Sequence, residues 1–145
     1  MKLTFFGEVT LADGELAVMD GGTHGVQGHT VVLGPDGGAA WERRLEGMSP
    51  SGKPGSGSFR PTDEELGRLG AWSERIWELA ARDVRFYPSI HHGPPRWVWA
   101  IVLRRGDETR ALEGGAIPRG QGAPEEARPL LDWMVERVDA LSERP

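Results

Sequence analysis

The stretch WVWAIVL, residues 97–103, constrains the fold of this chain more than any other feature of its sequence. Both sets of alternating positions are apolar: Trp97, Trp99, Ile101 and Leu103 on one side, Val98, Ala100 and Val102 on the other. A strand with two apolar faces has to be covered on both, so we expect it in the middle of a sheet. The pair Gly106-Asp107 then predicts a tight turn. The return strand ETRALE, residues 108–113, is polar on one face and is expected nearer to water.

Several shorter stretches before it predict further strands. KLTFF and ELAVM are separated by Asp13-Gly14, and HTVVL and AAWER are separated by GPDGG. Both joints are typical of turns in which a glycine adopts a positive φ. These strands predict an antiparallel meander, and VRFYPSI, residues 84–90, is one more candidate strand.

Two segments predict amphipathic helices. In PTDEELGRLGAWSERIWELAAR, residues 61–82, Thr62 and Glu65 have the spacing of a capping box. In APEEARPLLDWMVERVDAL, residues 123–141, Pro129 either starts the regular helix after a PEEA turn or kinks it. Apolar residues recur at helical spacing in both segments, so each has a stripe that faces a core. We therefore predict one α+β domain over residues 1–145: an antiparallel β-sheet, made of the meander and the C-terminal hairpin, packed by two helices.

The segment EGMSPSGKPGSGSFRP, residues 46–61, is rich in glycine, serine and proline. Such a composition offers little to bury and has much conformational entropy to lose on ordering. It predicts a flexible surface loop, which is either a tolerated insertion or a site of binding.

Charge and composition exclude several classes of function. The net charge of −5 argues against a nucleic-acid ligand, because such proteins present a basic face to phosphates. The absence of cysteine excludes disulfides, thiolate metal sites and a cysteine nucleophile. No apolar run approaches the length of a membrane span, and the first residues meet Glu8 and Asp13 before a signal peptide could form. We expect a cytoplasmic protein without a cofactor.

The histidines are the one set that suggests metal chemistry. His24 and His29 lie in DGGTHGVQGHT, just after Asp20, and His91-His92 lie in SIHHGPPRWVW. Zinc takes imidazole and carboxylate ligands, and a catalytic zinc needs three protein ligands and an open position. The spacing matches no helical zinc motif, and the sequence contains neither a serine-nucleophile signature nor a phosphate-binding loop. Histidines at turns and strand starts that bond to backbone or water are the alternative reading.

The six tryptophans suggest a protein partner, because aromatic anchors are enriched at interfaces. Trp72, Trp99 and Trp133 fall on the stripes assigned to the core, whereas Trp41, Trp77 and Trp97 are less constrained. The predicted binding surface is therefore the 88–95 turn with His91 and His92, together with Arg96 and Trp97. Trp41 and Trp77 are further candidates, and the 46–61 loop is the second choice of surface.

From about residue 62 onward the chain resembles the emfourins, small bacterial inhibitors of thermolysin-like metallopeptidases. The resemblance lies in the capped helix, a short strand, the hairpin GPPRWVWAIVLRRGDETRAL and the last helix, which begins APEEARPLLDWM. It covers about half of the chain. The family opens with a glycine pair close to its first strand, whereas DGGTHG comes later in this sequence. The resemblance implies a protein that binds and inhibits a peptidase.

The sequence thus favours a small non-enzymatic domain that binds another protein, as a peptidase inhibitor or an immunity-type factor. Its expected partner is a metallopeptidase or a toxin-like enzyme, with no nucleic acid and no membrane involved, and the chain itself is expected to be a monomer or a weak homodimer. The alternative is a histidine-based metal-binding protein or metalloenzyme that uses His24, His29, His91 and His92. A third hypothesis is a structural subunit whose apolar edge pairs with itself.

Overall fold

A computed structural model describes residues 1–22, 28–44, 55–82, 85–86, 97–116 and 123–143. These residues form an α+β fold, as the sequence predicts, with nine strands and two helices among them. The strands are β1 (Lys2–Leu3), β2 (Gly7–Glu8), β3 (Leu16–Gly22), β4 (Gly28–Leu33), β5 (Ala39–Arg44), β6 (Gly55–Phe59), β7 (Arg85–Phe86), β8 (Trp97–Arg105) and β9 (Glu108–Ala116). The helices are α1 (Asp63–Ala80) and α2 (Arg128–Ser142). Within the described ranges, neither helix is long and apolar enough to cross a membrane.

Seven of the strands form one sheet in the order β6-β5-β4-β3-β8-β9-β7. The C-terminal hairpin is present, and so is the meander from ELAVM onward; the two join where β3 pairs antiparallel with β8. The first predicted strand, KLTFF, does not belong to this sheet, because only Lys2–Leu3 is a strand and it pairs with β2 in a separate two-stranded sheet. The turns before β3 and between β4 and β5 contain glycines with positive φ, Gly14 at 84° and Gly37 at 88°. One pair departs from the antiparallel prediction, since β7 runs parallel to β9.

Strand β8 lies inside the molecule as its two apolar faces require, and residues 97–103 are all buried. The two helices cover one face of the sheet, where Trp99 and Ile101 join a core with Leu69, Ile76 and Met134. The small β1–β2 hairpin covers part of the other face, where Leu3 and Leu11 pack with strand residues. Those strand residues are Ala17, Met19, Ala100, Val102 and Ala111.

Both helices begin as the sequence predicts. The Thr62 side chain accepts a hydrogen bond from the Glu65 amide, and the Glu65 carboxylate accepts one from the Thr62 amide, each at 3.1 Å. This capping box satisfies amides that an α-helix leaves without partners in its first turn. Helix α2 has Pro129 in its first turn and follows a short turn at residues 125–127, where the missing proline amide costs no helical hydrogen bond.

The prediction of a flexible loop over residues 46–61 is wrong for its last part, because residues 55–59 form β6. The reason is a tryptophan. The Trp41 indole on β5 lies across Gly55 and Gly57, and a Cβ atom at these positions would come within 3.0 and 2.9 Å of the ring. The two glycines therefore make room for an aromatic side chain, and flexibility is not their role. Residues 46–54 lie outside the described ranges.

The prediction that ETRALE, residues 108–113, lies nearer to water holds only for its first half, since residue 108 is exposed and residues 109–110 are half-buried, whereas residues 111–113 are buried. Strand β9 lies between β8 and β7 in the sheet, α1 packs on one side of it, and the β1–β2 hairpin lies on the other. Its one buried charge, Glu113, accepts a 2.9 Å hydrogen bond from the Thr4 amide and a second one from the Thr4 hydroxyl. The N-terminal hairpin thus supplies the polar partner that the alternating sequence pattern led us to expect from water.

Candidate functional site

A row of polar side chains crosses the sheet under the carboxyl-terminal half of α2. Asp20 on β3 is the register partner of His29 on β4, and His29 is the register partner of Arg43 on β5. All three point to the helix-covered face and are buried, with exposed fractions of 0 %, 2 % and 6 %. Charged groups are almost never buried in this way unless they are paired.

His29 is held between two carboxylates. Its Nδ1 lies 2.6 Å from Asp20 Oδ1, and its Nε2 lies 2.9 Å from Asp139 Oδ1 on α2. Since carboxylates only accept hydrogen bonds, both contacts are satisfied together by the protonated imidazolium, which donates from both nitrogens. Burial alone lowers the pKa of His29, but the hydrogen bonds and charges of Asp20, followed by those of Asp139, outweigh it and raise that pKa above its ordinary value.

Three more side chains complete this cluster, which we call the His29 clamp: Asp20, His29, Arg43, Trp97, Asp139 and Ser142. The Trp97 indole N–H donates to Asp20 Oδ2 at 2.9 Å. Arg43 donates to the Ser142 hydroxyl at 2.7 Å and lies 3.5 Å from Asp139. The clamp therefore joins four strands, β3, β4, β5 and β8, to the last turns of α2. It meets solvent at Asp139, whose side chain is 41 % exposed.

The His29 clamp is poorly arranged for catalysis or metal binding. An imidazolium that donates from both nitrogens has no lone pair with which to accept a proton or coordinate a metal. Across the described ranges, histidine, aspartate and glutamate side chains form no group of three that could hold a metal ion. The contacts of the clamp fit a structural role, because they satisfy buried charges and position α2.

A second ionic cluster holds α2 against α1. Glu65 forms an ion pair with Arg137 and accepts a 2.7 Å hydrogen bond from the Trp133 indole N–H. Burial alone raises the pKa of Glu65, but the bonds from Arg137, Trp133 and the Thr62 amide lower it from 4.5 to about 2. The cluster lines an open groove of about 530 Å³ between the helices, and Trp72 lines the same groove.

The predicted site residues are found in very different places. Trp97 is 4 % exposed, so it does not present its ring to a partner as expected, because its N–H is needed by Asp20. Trp77 is half-buried, and the guanidinium carbons of Arg105 and Arg110 lie 4.8 and 4.1 Å from its ring centre. Trp41 is half-buried over the edge strand β6. Four predicted residues, His24, His91, His92 and Arg96, lie outside the described ranges.

Arg43, Asp139 and Ser142 are members of the clamp that were not predicted from the sequence. A signal for the sheet part of the clamp was present, since Asp20 continues the alternation of Leu16 and Val18 and therefore had to share their buried face. No comparable signal pairs His29 with Asp139, because the two are 110 residues apart in the chain.

No protein-family model matches the chain, and no curated protein is significantly similar to it. The resemblance to the emfourins therefore rests on the quoted residues alone, and it stays a prediction.

Proposed function

We propose that this chain is a non-enzymatic protein-binding domain of the inhibitor or immunity type, acting in the cytoplasm on a metallopeptidase or a toxin-like enzyme. The observation that carries the proposal is the position of Trp41. Its ring is partly exposed, packs against the helix-side core and lies over Gly55 and Gly57 in the edge strand. Rigid aromatic rings on such fixed supports are the usual anchors of protein interfaces.

The state of His29 supports a non-enzymatic role. It is the only histidine in the described ranges, and both of its ring nitrogens are engaged by carboxylates. General acid–base catalysis needs a group that exchanges a proton with the substrate, and a 2 % exposed imidazolium between two acids is not placed to do so. The clamp instead fixes β5, the strand that carries Trp41, to α2 through Arg43.

The resemblance to the emfourins supports the choice of partner. We therefore test the proposal by titrating the chain into a thermolysin-like metallopeptidase and measuring the remaining hydrolysis of a peptide substrate. The wild-type chain is expected to inhibit. Trp41→Ala is expected to weaken inhibition by about thirtyfold, the typical loss of an interface hot spot of about 2 kcal/mol.

Trp77→Ala is the matched control, because it removes an equally large half-buried ring that lies on α1, against Arg105 and Arg110 instead of β6. Inhibition by this variant is expected to equal that of the wild type. If the wild-type chain leaves the peptidase fully active, the proposed function is wrong. If both tryptophan variants lose the same inhibition, the assignment of the surface to Trp41 is wrong.

The histidine-based metal site remains the competing proposal. Because Asp20 and Asp139 engage His29, this proposal depends on His24, His91 and His92, which lie outside the described ranges. Plasma mass spectrometry of gel-filtered protein prepared with zinc separates the two. Near one equivalent of metal in the parent, with almost none in a His91→Ala/His92→Ala variant, would favour the metal site over our proposal.

A further inference from the structure

We propose that the outer edge of β6 binds an extended segment of the partner protein, which adds an eighth strand to the sheet. This inference rests on the proposed function and specifies how the partner is held. Strand β6 is the last strand on its side, and no described strand pairs with its outer edge. Ser56, Gly57 and Ser58 are exposed.

The hydrogen bonds of the sheet fix which groups face outward. The Gly34 amide donates to the Gly38 carbonyl at 2.8 Å, next to the register pair of Leu33 and Ala39. In an antiparallel ladder, alternate residues direct their N–H and C=O groups to opposite neighbours. Residues 40, 42 and 44 of β5 therefore face β4, and residues 39, 41 and 43 face β6.

The register between β5 and β6 carries this alternation to the edge. Trp41 is the partner of Gly57, so Gly57 bonds inward, as do Gly55 and Phe59. Ser56 and Ser58 must then direct their N–H and C=O groups away from the sheet. The edge thus offers two donors and two acceptors at the spacing that a further strand needs.

Strand β6 itself carries none of the usual obstacles to such an addition. Natural edge strands are commonly protected by lysine, proline, a bulge or an inward-pointing charge. Strand β6 has the sequence GSGSF, so it contains no charge and no proline. Its register with β5 is continuous over all five residues, without a bulge.

The two faces of the edge differ, which defines the segment that fits. On the helix-covered side lie the Trp41 ring and Phe59, whose ring centre is 6.2 Å from that of Trp133. On the other side lie the serine side chains and the Glu42–Arg44 ion pair. An incoming strand should therefore carry apolar side chains at every second position, facing Trp41, and polar ones between them.

This chemistry favours a different protein over a second copy of the chain. Pairing of β6 with another β6 would offer the Trp41 side of the edge two glycines and one side chain, that of Phe59. A partner strand with valine or larger residues at these positions would cover the ring. The edge is therefore assigned to an extended segment of the inhibited enzyme.

The first test compares Ser58→Pro with Ser58→Ala in the inhibition assay. Proline removes the outward N–H and places its ring where the partner carbonyl would come, whereas alanine keeps the N–H. Ser58→Pro is expected to weaken inhibition by about tenfold or more, and Ser58→Ala by less than about twofold. Equal inhibition by the two variants would overturn the added strand but leave the proposed function standing.

The second test needs no natural partner. A short probe peptide of alternating valine and threonine, with a lysine at each end, is titrated into ¹⁵N-labelled protein. Saturable shifts of the Ser56 and Ser58 amides are expected, and Ser58→Pro should abolish binding. If millimolar peptide leaves these two amides unshifted, the added strand is wrong, whatever the outcome of the inhibition assay.

Discussion

The His29 clamp and the edge strand β6 differ in how their polar groups are paired. In the clamp, each ring nitrogen of the buried His29 contacts a carboxylate, so neither nitrogen is available to bind a ligand. At the edge, uncharged residues leave backbone donors and acceptors facing outward. The comparison indicates that the ionisable groups of the clamp maintain the architecture, whereas recognition through the backbone groups of β6 and the Trp41 ring is our proposal.

The largest expected effect comes from breaking the clamp. Asp20→Ala leaves a buried imidazolium without its main partner and the Trp97 N–H without an acceptor. The free energy of unfolding, measured by urea denaturation, should fall by about 3–5 kcal/mol. Asp132→Ala, at an exposed position on α2, is the control and should change it by less than about 0.5 kcal/mol. Equal stabilities would contradict the structural role of the clamp.

Breaking the second ionic cluster should have a smaller effect. Glu65→Gln keeps the shape of the side chain but removes the charge paired with Arg137, at a cost of about 2–3 kcal/mol in unfolding free energy. Because the folded pKa of Glu65 is lowered, its contribution is present above pH 4.5 and is lost as the pH falls toward about 2. The neighbouring exposed Glu64→Gln should preserve the wild-type stability and pH profile. A Glu65→Gln profile that still loses stability over this pH range like the wild type would refute the assignment.

At the edge strand, stability depends on the absence of a side chain at Gly57. Gly57→Ala would place a Cβ atom 2.9 Å from Trp41 Nε1 and should destabilise the fold by about 1–3 kcal/mol. Ser58→Ala, one residue along, should be nearly neutral, because its side chain is exposed and its backbone bonds are unchanged. Thermal unfolding of the two variants makes the comparison, and equal melting temperatures would show that Trp41 does not lie over the glycines.

The smallest effect is the titration of His29, which changes one proton and no side chain. Its folded pKa is raised, so the stability it contributes is fully present below its ordinary pKa of 6.5 and is lost as the pH rises through the higher folded value. Asp139→Asn should lower that folded value, since it removes one of the two carboxylates. An NMR titration of the imidazole gives both values directly, and a wild-type pKa below 6.5 would contradict the clamp.

Much of the fold follows from local sequence, but the sites do not. The capping box of Thr62 and Glu65, the twofold apolar pattern of β8 and the position of Pro129 each depend on neighbouring residues, and all three hold in the structure. The clamp depends on Asp139 meeting His29 across 110 residues, which no local pattern encodes. Strand β6 was not predicted, because Gly55 and Gly57 indicate a flexible loop unless the Trp41 ring is known to lie over them.

Amide hydrogen exchange in the free chain tests the contrast between the clamp and the edge most directly. The His29 amide donates to Asp20 Oδ1 at 3.0 Å in the buried clamp, so it should exchange only on global unfolding. Along β6, the Gly57 and Phe59 amides should be protected, whereas those of Ser56 and Ser58 should exchange at nearly unprotected rates. Equal protection of all four β6 amides would contradict the outward orientation of the Ser56 and Ser58 amides. Rapid exchange of the His29 amide would contradict its hydrogen bond to Asp20 in a buried clamp.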